Sequence, residues 1–195
     1  VSVTTLAKKQ TLAFSVASSP TTSLGTGTLS FSFGTWSGSN FTANGTTGSV
    51  SITTGNDSLD GIAAQINDAS IGVTASVVKE TESRYALVVQ SGFGAANAMQ
   101  ISVTEDDAST SLDGIAYTSY SSSTEKVAAT DAAFTVDGVS VTRSTNSVTD
   151  VIDGVTLSLS GTTSSSEKVS ASYSTDTALL AAQGIVAELN TLVTD

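Results

Sequence analysis

Two polar stretches and one aromatic stretch are the places where this sequence could do chemistry. Residues Asn56 to Asn67 set Asn56, Ser58 and Asp60 at alternating positions before Gly61, the layout of a calcium loop whose oxygens encircle a hard cation. The layout is incomplete, because the first position lacks Asp and Asn67 stands where a bidentate Glu is needed. A capped helix explains the same letters, since Asp57 or Ser58 can accept from the free N–H groups of a first turn. Glu105-Asp106-Asp107 could hold a cation, but a lone acidic triplet in a loop is ordinarily just solvated. Trp36, Phe31, Phe33 and Phe41 could form an aromatic platform for a sugar. The alternation Phe31-Ser32-Phe33 favours core packing instead, which leaves Trp36 and Phe41 near a loop.

Catalysis finds little to work with. The chain of 195 residues contains no His and no Cys. Without His it lacks the usual general base, the usual triad partner and the commonest metal ligand. Without Cys it has no disulfides, and its redox compartment stays open. No Ser–Lys pair can be picked out among so many serines, and carboxylate pairs carry no information among 18 acidic residues. Sequons begin at Asn40, Asn44 and Asn56, as chance supplies in a Ser/Thr-rich chain. The expectation is of no enzyme, with no catalytic, cofactor-binding or metal-binding residue.

Charge excludes two partner classes. Seven basic against 18 acidic residues give a net charge of −11, which argues against nucleic acid and against anionic membrane surfaces. No apolar run reaches the ~18 residues of a membrane-spanning helix. The opening VSVTTLAKKQ alternates, where a signal peptide would be charged and then apolar.

The elements that would hold these residues are mostly strands. Leu12, Phe14 and Val16 alternate with polar neighbours, as do Leu29, Phe31 and Phe33. Between them SSPTTSLGTGT is a connection suited to a domain seam. SGSNFTANGTTGS is predicted as a loop, with Asn44-Gly45 as its tight turn. In GNDSLDGIAAQINDAS, Leu59, Ile62, Ala63 and Ile66 share one helical face, which predicts a helix over 58–70. Val73, Ala75 and Val77, then Tyr85, Leu87 and Val89, predict a hairpin, and a strand follows at Ile101–Val103. Asp137-Gly138 in FTVDGVSVT is the strongest hairpin signal in the chain. STNSVTDVIDG reads as a single helical turn, and GVTLSLS with KVSASYS as a further hairpin. Last, Leu179, Ala182, Val186, Leu189 and Val193 make a heptad seam that Asp176 can cap.

The phrase SLDGIA occurs at 58–63 and again at 111–116. After Ile115 no apolar residue recurs at helical spacing, and YTSYSSSTEK prefers strand or loop. The flanks do not repeat, so the chain is no tandem array.

In order, SVTTLAKKQTL, SLGTGTLSFSFG, SLDGIAAQINDASIGVTASVV with Leu87-Val88-Val89, GAANAMQISV and DAAFTVDGVSVTRSTNSVTDVIDGVTLSLSG resemble the flagellar filament cap family, hook-associated protein 2. The unit from Ile62 to Val89 also resembles a motif inserted in some flagellins. The Ser/Thr-rich, sparsely charged composition and the alternating segments predict a mainly β, β-rich α+β protein, and the seams divide it into two small antiparallel domains, one inserted in the other. Residues 1–19 with 128–175 would form the plate-proximal domain, 20–127 the insert, and 176–195 the start of a coiled-coil leg helix. The resemblance implies a homo-oligomeric ring at the filament tip that helps exported flagellin fold and insert. Its partners would be further copies of itself, flagellin and the hook–filament junction protein, outside the cell after export through the flagellar channel. The chain departs from the family at QGIVAELNTLV, where Glu188-Leu189-Asn190 keeps only the Asn of an aromatic-rich segment. The alternative is a carbohydrate-binding or adhesive β module of a surface fibre, for which the terminal heptad helix has no use.

Overall fold

A computed structural model describes residues 1–106, 111–170 and Gln183. The heptad seam from Leu179 to Val193, its cap Asp176, and Asp107 lie outside the described residues. The strands are β1 (Ser2–Thr5), β2 (Lys9–Ala17), β3 (Gly27–Ser37), β4 (Asn40–Ile52), β5 (Thr74–Thr81), β6 (Arg84–Phe93), β7 (Ala98–Glu105), β8 (Glu125–Val127), β9 (Ala132–Val136), β10 (Val139–Arg143), β11 (Ser147–Ile152) and β12 (Val155–Ser158). One α-helix, α1 (Leu59–Asp68), and two 3-10 turns at Ala95–Asn97 and Leu112–Ile115 complete the described elements. The architecture is mainly antiparallel β, as the composition predicts.

Two apolar cores organise these strands. The larger lies between the sheet β5-β6-β2-β8 and the sheet β4-β3-β7, and buries Leu12, Phe14, Phe31, Ile62, Ile66 and Leu87 among others. Each such side chain contributes about 1.5–3 kcal/mol when fully removed from water. The smaller core consists of Val3, Phe134, Val148 and Leu157. It is wrapped by the sheet β1-β9-β10 and the hairpin β11-β12.

α1 forms where its apolar spacing demands. Leu59, Ile62, Ala63 and Ile66 are its buried residues, and Ser58 caps it by accepting from the Gly61 N–H. The second SLDGIA makes only a 3-10 turn whose Ser111 gives no side-chain cap. Leu112 and Ile115 still reach the larger core, so the same letters serve the same core with different backbones.

Three expectations are corrected. SGSNFTANGTTGS is not a loop, because β3 pairs with β4 down to Ser37 opposite Asn40. The chain reverses at Gly38-Ser39. Asn44-Gly45 instead lies in a bulge, where Ser32 faces Thr47 and Gly34 already faces Ala43. Gly45 takes φ +90° there, and the Asn44 side chain accepts from the Thr46 N–H; a bulge uses the same left-handed backbone as a turn. STNSVTDVIDG is no helical turn, since Ser147–Ile152 is a strand paired with β12, Val148 opposite Leu157. Three β-branched valine and isoleucine residues there pack better on a pleated surface than on a helix. β12 thus has a partner upstream, while most of KVSASYS lies outside the described residues.

The stretch 18–28 is no open linker. Leu24 is buried and its N–H donates to the Asp57 carbonyl, while the Asp60 N–H donates to the Pro20 carbonyl, so the segment clasps the start of α1. Lys9–Ala17 lies in the larger unit, with Leu12 opposite Val89 and Phe14 opposite Leu87. That placement differs from the expected grouping of 1–19. A strand can be read from alternation, but its partner is chosen by distant residues.

Candidate functional site

The calcium-like letters are occupied by the fold. Asn56 Oδ1 accepts from the Thr53 N–H and Ser58 Oγ caps α1. Asn67 brackets the Ala75 peptide, accepting from its N–H and donating to its carbonyl, both at 2.8 Å. Glu105 Oε1 accepts from the Asp113 N–H. Among the described residues no three acidic side chains cluster as a metal would need. Of the sequon residues, Asn40 is exposed at the β3–β4 turn, and Asn44 donates to the Ala96 carbonyl.

The aromatic residues separate into two groups. Phe31 and Phe33 are core. Trp36 is half-buried, 4.9 Å from Phe41 and 5.4 Å from Tyr117 between ring centroids, the latter edge-on. Tyr117 comes from the run after the second SLDGIA, which sequence reasoning left as strand or loop. Its phenol pKa is pushed up, mainly by burial and further by Glu125 and Tyr120, against an opposing contribution from the Ser121 backbone. Among the described residues its buried hydroxyl makes no hydrogen bond of good geometry, the Ser121 backbone lying near it without reaching one.

A polar device underlies this cluster, and sequence reasoning missed it. Gln10 is fully buried on β2. Its Oε1 accepts from the Met99 N–H and its Nε2 donates to Glu125 Oε1 at 2.6 Å. The Met99 carbonyl accepts from Trp36 Nε1 at 2.9 Å. The backbone of one buried residue, Met99, thus holds Trp36 by its carbonyl oxygen and Glu125, through Gln10, by its N–H. A lone Gln in an alternating strand (Leu12 and Phe14 on the same face) is the one signal that could have revealed it.

Where the chain passes between the two cores, contacts are directional. Lys8 and Thr130 exchange backbone hydrogen bonds at 2.9 and 3.3 Å. The Asn146 amide accepts from the Ala7 N–H at 2.8 Å and donates to its carbonyl at 2.9 Å. Asp131 Oδ1 accepts from the Ala95 N–H at 2.8 Å. Gly94, at φ +100°, lies so close to Ser144 that a Cβ would come within 2.6 Å of its Cβ.

This arrangement of two β units, one helix and a polar joint has close counterparts. A family model described as flagellar hook-associated protein 2 C-terminus matches residues 129–195, and one described as flagellin hook IN motif matches residues 40–92. Flagellar hook-associated protein 2 of Salmonella typhimurium is 37% identical over 105 residues, covering 52% of this chain. The chain spans only 22% of that relative's length. The crystal structure of the flagellar cap protein FliD D2-D3 domains from Escherichia coli superposes with a TM-score of 0.72 at 31% identity, covering 84% of this chain and 81% of that one. The D1-D2-D3 structure from the same organism gives a TM-score of 0.77 at 28% identity, over 99% of this chain and 53% of that one. The likeness defines the class first: antiparallel β domains of the flagellar cap type. The chain belongs to the flagellar hook-associated protein 2 family.

Proposed function

We propose that this chain supplies the middle domains of a flagellar filament cap, a structural and assembly protein that works without a catalytic group. The cap would form a homo-oligomeric ring at the filament tip, outside the cell, and promote folding and insertion of flagellin delivered by the flagellar secretion system. The observation that carries this reading is the superposition on the D2-D3 cap domains over most of both chains. The acidic surface supports it too, since a net charge of −11 keeps copies soluble and their lateral contacts weak. Weak contacts would let subunits shift as each flagellin enters.

We also propose a division of the chain that follows the cores. Residues 1–7 with 129–168 form one domain and residues 8–128 form the inserted one. In this division the seam lies at the Lys8–Thr130 pair rather than at 19/20; the antiparallel bridge between these two residues supports it, since an inserted domain brings its entry and exit side by side.

Light scattering on this chain and on the full-length protein tests the function. The full-length protein is expected to form a discrete ring, with the shorter chain monomeric or weakly associated. Monomers of both at every concentration would overturn the cap reading.

A further inference from the structure

Beside the joint lies an open groove of about 300 Å³, the low end of ligand-pocket sizes and room for one side chain. Trp36 and Tyr120 supply aromatic surface, Ala95, Ala98 and Ala128 keep the walls low, and Glu125 is the one carboxylate among the lining residues. Tyr120 is 45% exposed, an aromatic ring left open to water.

The groove is built rather than incidental. Trp36 and Glu125 are anchored to the Met99 carbonyl and N–H, one directly and one through the buried Gln10 amide. Such anchoring fixes an aromatic face and a carboxylate relative to each other before any ligand arrives, which lowers the ordering cost of binding. Gln10 engages Oε1 of Glu125, and no hydrogen bond or ion pair occupies Oε2 among the described residues.

We propose that this groove receives the guanidinium of an arginine side chain on a partner polypeptide. A planar cation suits both halves of the site: it stacks on Trp36 or Tyr120 by cation–π attraction and donates to the open oxygen of Glu125. The chain's 18 acidic against seven basic residues draw cations toward it from a distance. A second copy of this chain is a poor donor, because Arg84 and Arg143 already pair with Glu80 and Asp150. The arginine is therefore assigned to a partner segment outside the residues of this chain. The proposal stands apart from the filament-cap reading, and either can fail alone.

Trp36 is the sole tryptophan, so its fluorescence and its indole N–H resonance read the groove directly. The probe is acetyl-Gly-Arg-Gly-amide, titrated into the chain. A saturable change with Kd on the order of 1 mM is expected for a single side chain, weakening as salt rises from about 0.05 to about 0.5 M. Glu125→Gln keeps an acceptor for Gln10 and should weaken binding about tenfold. Tyr120→Ala, at an exposed position, should weaken it about threefold. An equal response to acetyl-Gly-Gln-Gly-amide, or unchanged binding by a folded Glu125→Gln variant, overturns the proposal. Saturation by a methyl glucoside without a response to the arginine peptide overturns it as well and makes the groove a sugar site.

Discussion

Replacing Gln10 by Leu removes the amide that ties Met99 to Glu125 while nearly conserving volume. Met99 is fully buried, so its N–H, now without the Gln10 acceptor, loses its partner and cannot reach water. That costs about 1–3 kcal/mol. The lost Gln10–Glu125 bond adds about 1 kcal/mol, less than a buried charged pair, because the half-buried carboxylate can rehydrate. Leu recovers part of this through its apolar surface, at about 25 cal/mol per Å² buried. The net expectation is a loss of about 2–3 kcal/mol. With a urea m-value of about 2 kcal/mol/M, the midpoint falls by about 1 M. Urea unfolding monitored by Trp36 fluorescence and far-ultraviolet circular dichroism measures it, because Trp36 hangs from the same Met99 carbonyl. Gln10→Glu should be worse at neutral pH, since it sets a second carboxylate against Glu125 and still deprives one partner. A midpoint shift of Gln10→Leu below about 0.3 M would refute the reasoning, as would a Gln10→Glu variant as stable as the parent.

Phe134→Ala removes the largest of the four side chains buried in the smaller core among the described residues and should cost about 3–5 kcal/mol. If the cores are separate domains, the smaller then unfolds first, and circular dichroism changes before Trp36 fluorescence does. Ser58→Ala deletes the cap on the Gly61 N–H and should lower stability by about 1 kcal/mol, read by urea unfolding. Asp150 has its pKa lowered, chiefly by the hydrogen bond from Arg143 and also by its charge, against desolvation. A depressed carboxylate contributes stability above its unfolded pKa and loses it as pH falls through the folded value. Carboxyl carbon resonances should show Asp150 titrating below the usual aspartate range, and Arg143→Gln should bring it back up.

What could be read from the sequence was local. The helix at Leu59–Asp68, the Phe31/Phe33 core face and the hairpin at Asp137-Gly138 each depend on spacing or turn chemistry within a few residues, and each stands where the spacing put it. Partner choice was not legible. Nothing within Lys9–Ala17 says that it pairs with residues 84–93 rather than with Ala132–Val136. Asn44-Gly45 shows the limit of turn chemistry, because a left-handed glycine serves a bulge as readily as a reversal. The candidate site was half visible: Trp36 and Phe41 stood out as unsettled aromatics. Gln10, Met99 and Glu125 are separated by 89 and 26 residues, and no local pattern joins them.

The joint explains why the two units hold together despite separate cores. A small apolar core cannot grip its neighbour by area, so the grip is directional. Asn146 satisfies both polar groups of Ala7, which is 2% exposed. Asp131 reaches across to the Ala95 N–H, and Gly94 admits Ser144 where any side chain would collide. Hydrogen bonds of this kind contribute about 1 kcal/mol each, yet breaking one leaves a buried group unpaired at a cost of up to about 3 kcal/mol. The energetic asymmetry favours one relative orientation over a continuum of hinged ones. Ala95 and Ala128 belong to both the joint's surroundings and the groove wall, so a partner side chain bound beside Trp36 would meet a surface whose shape depends on that orientation.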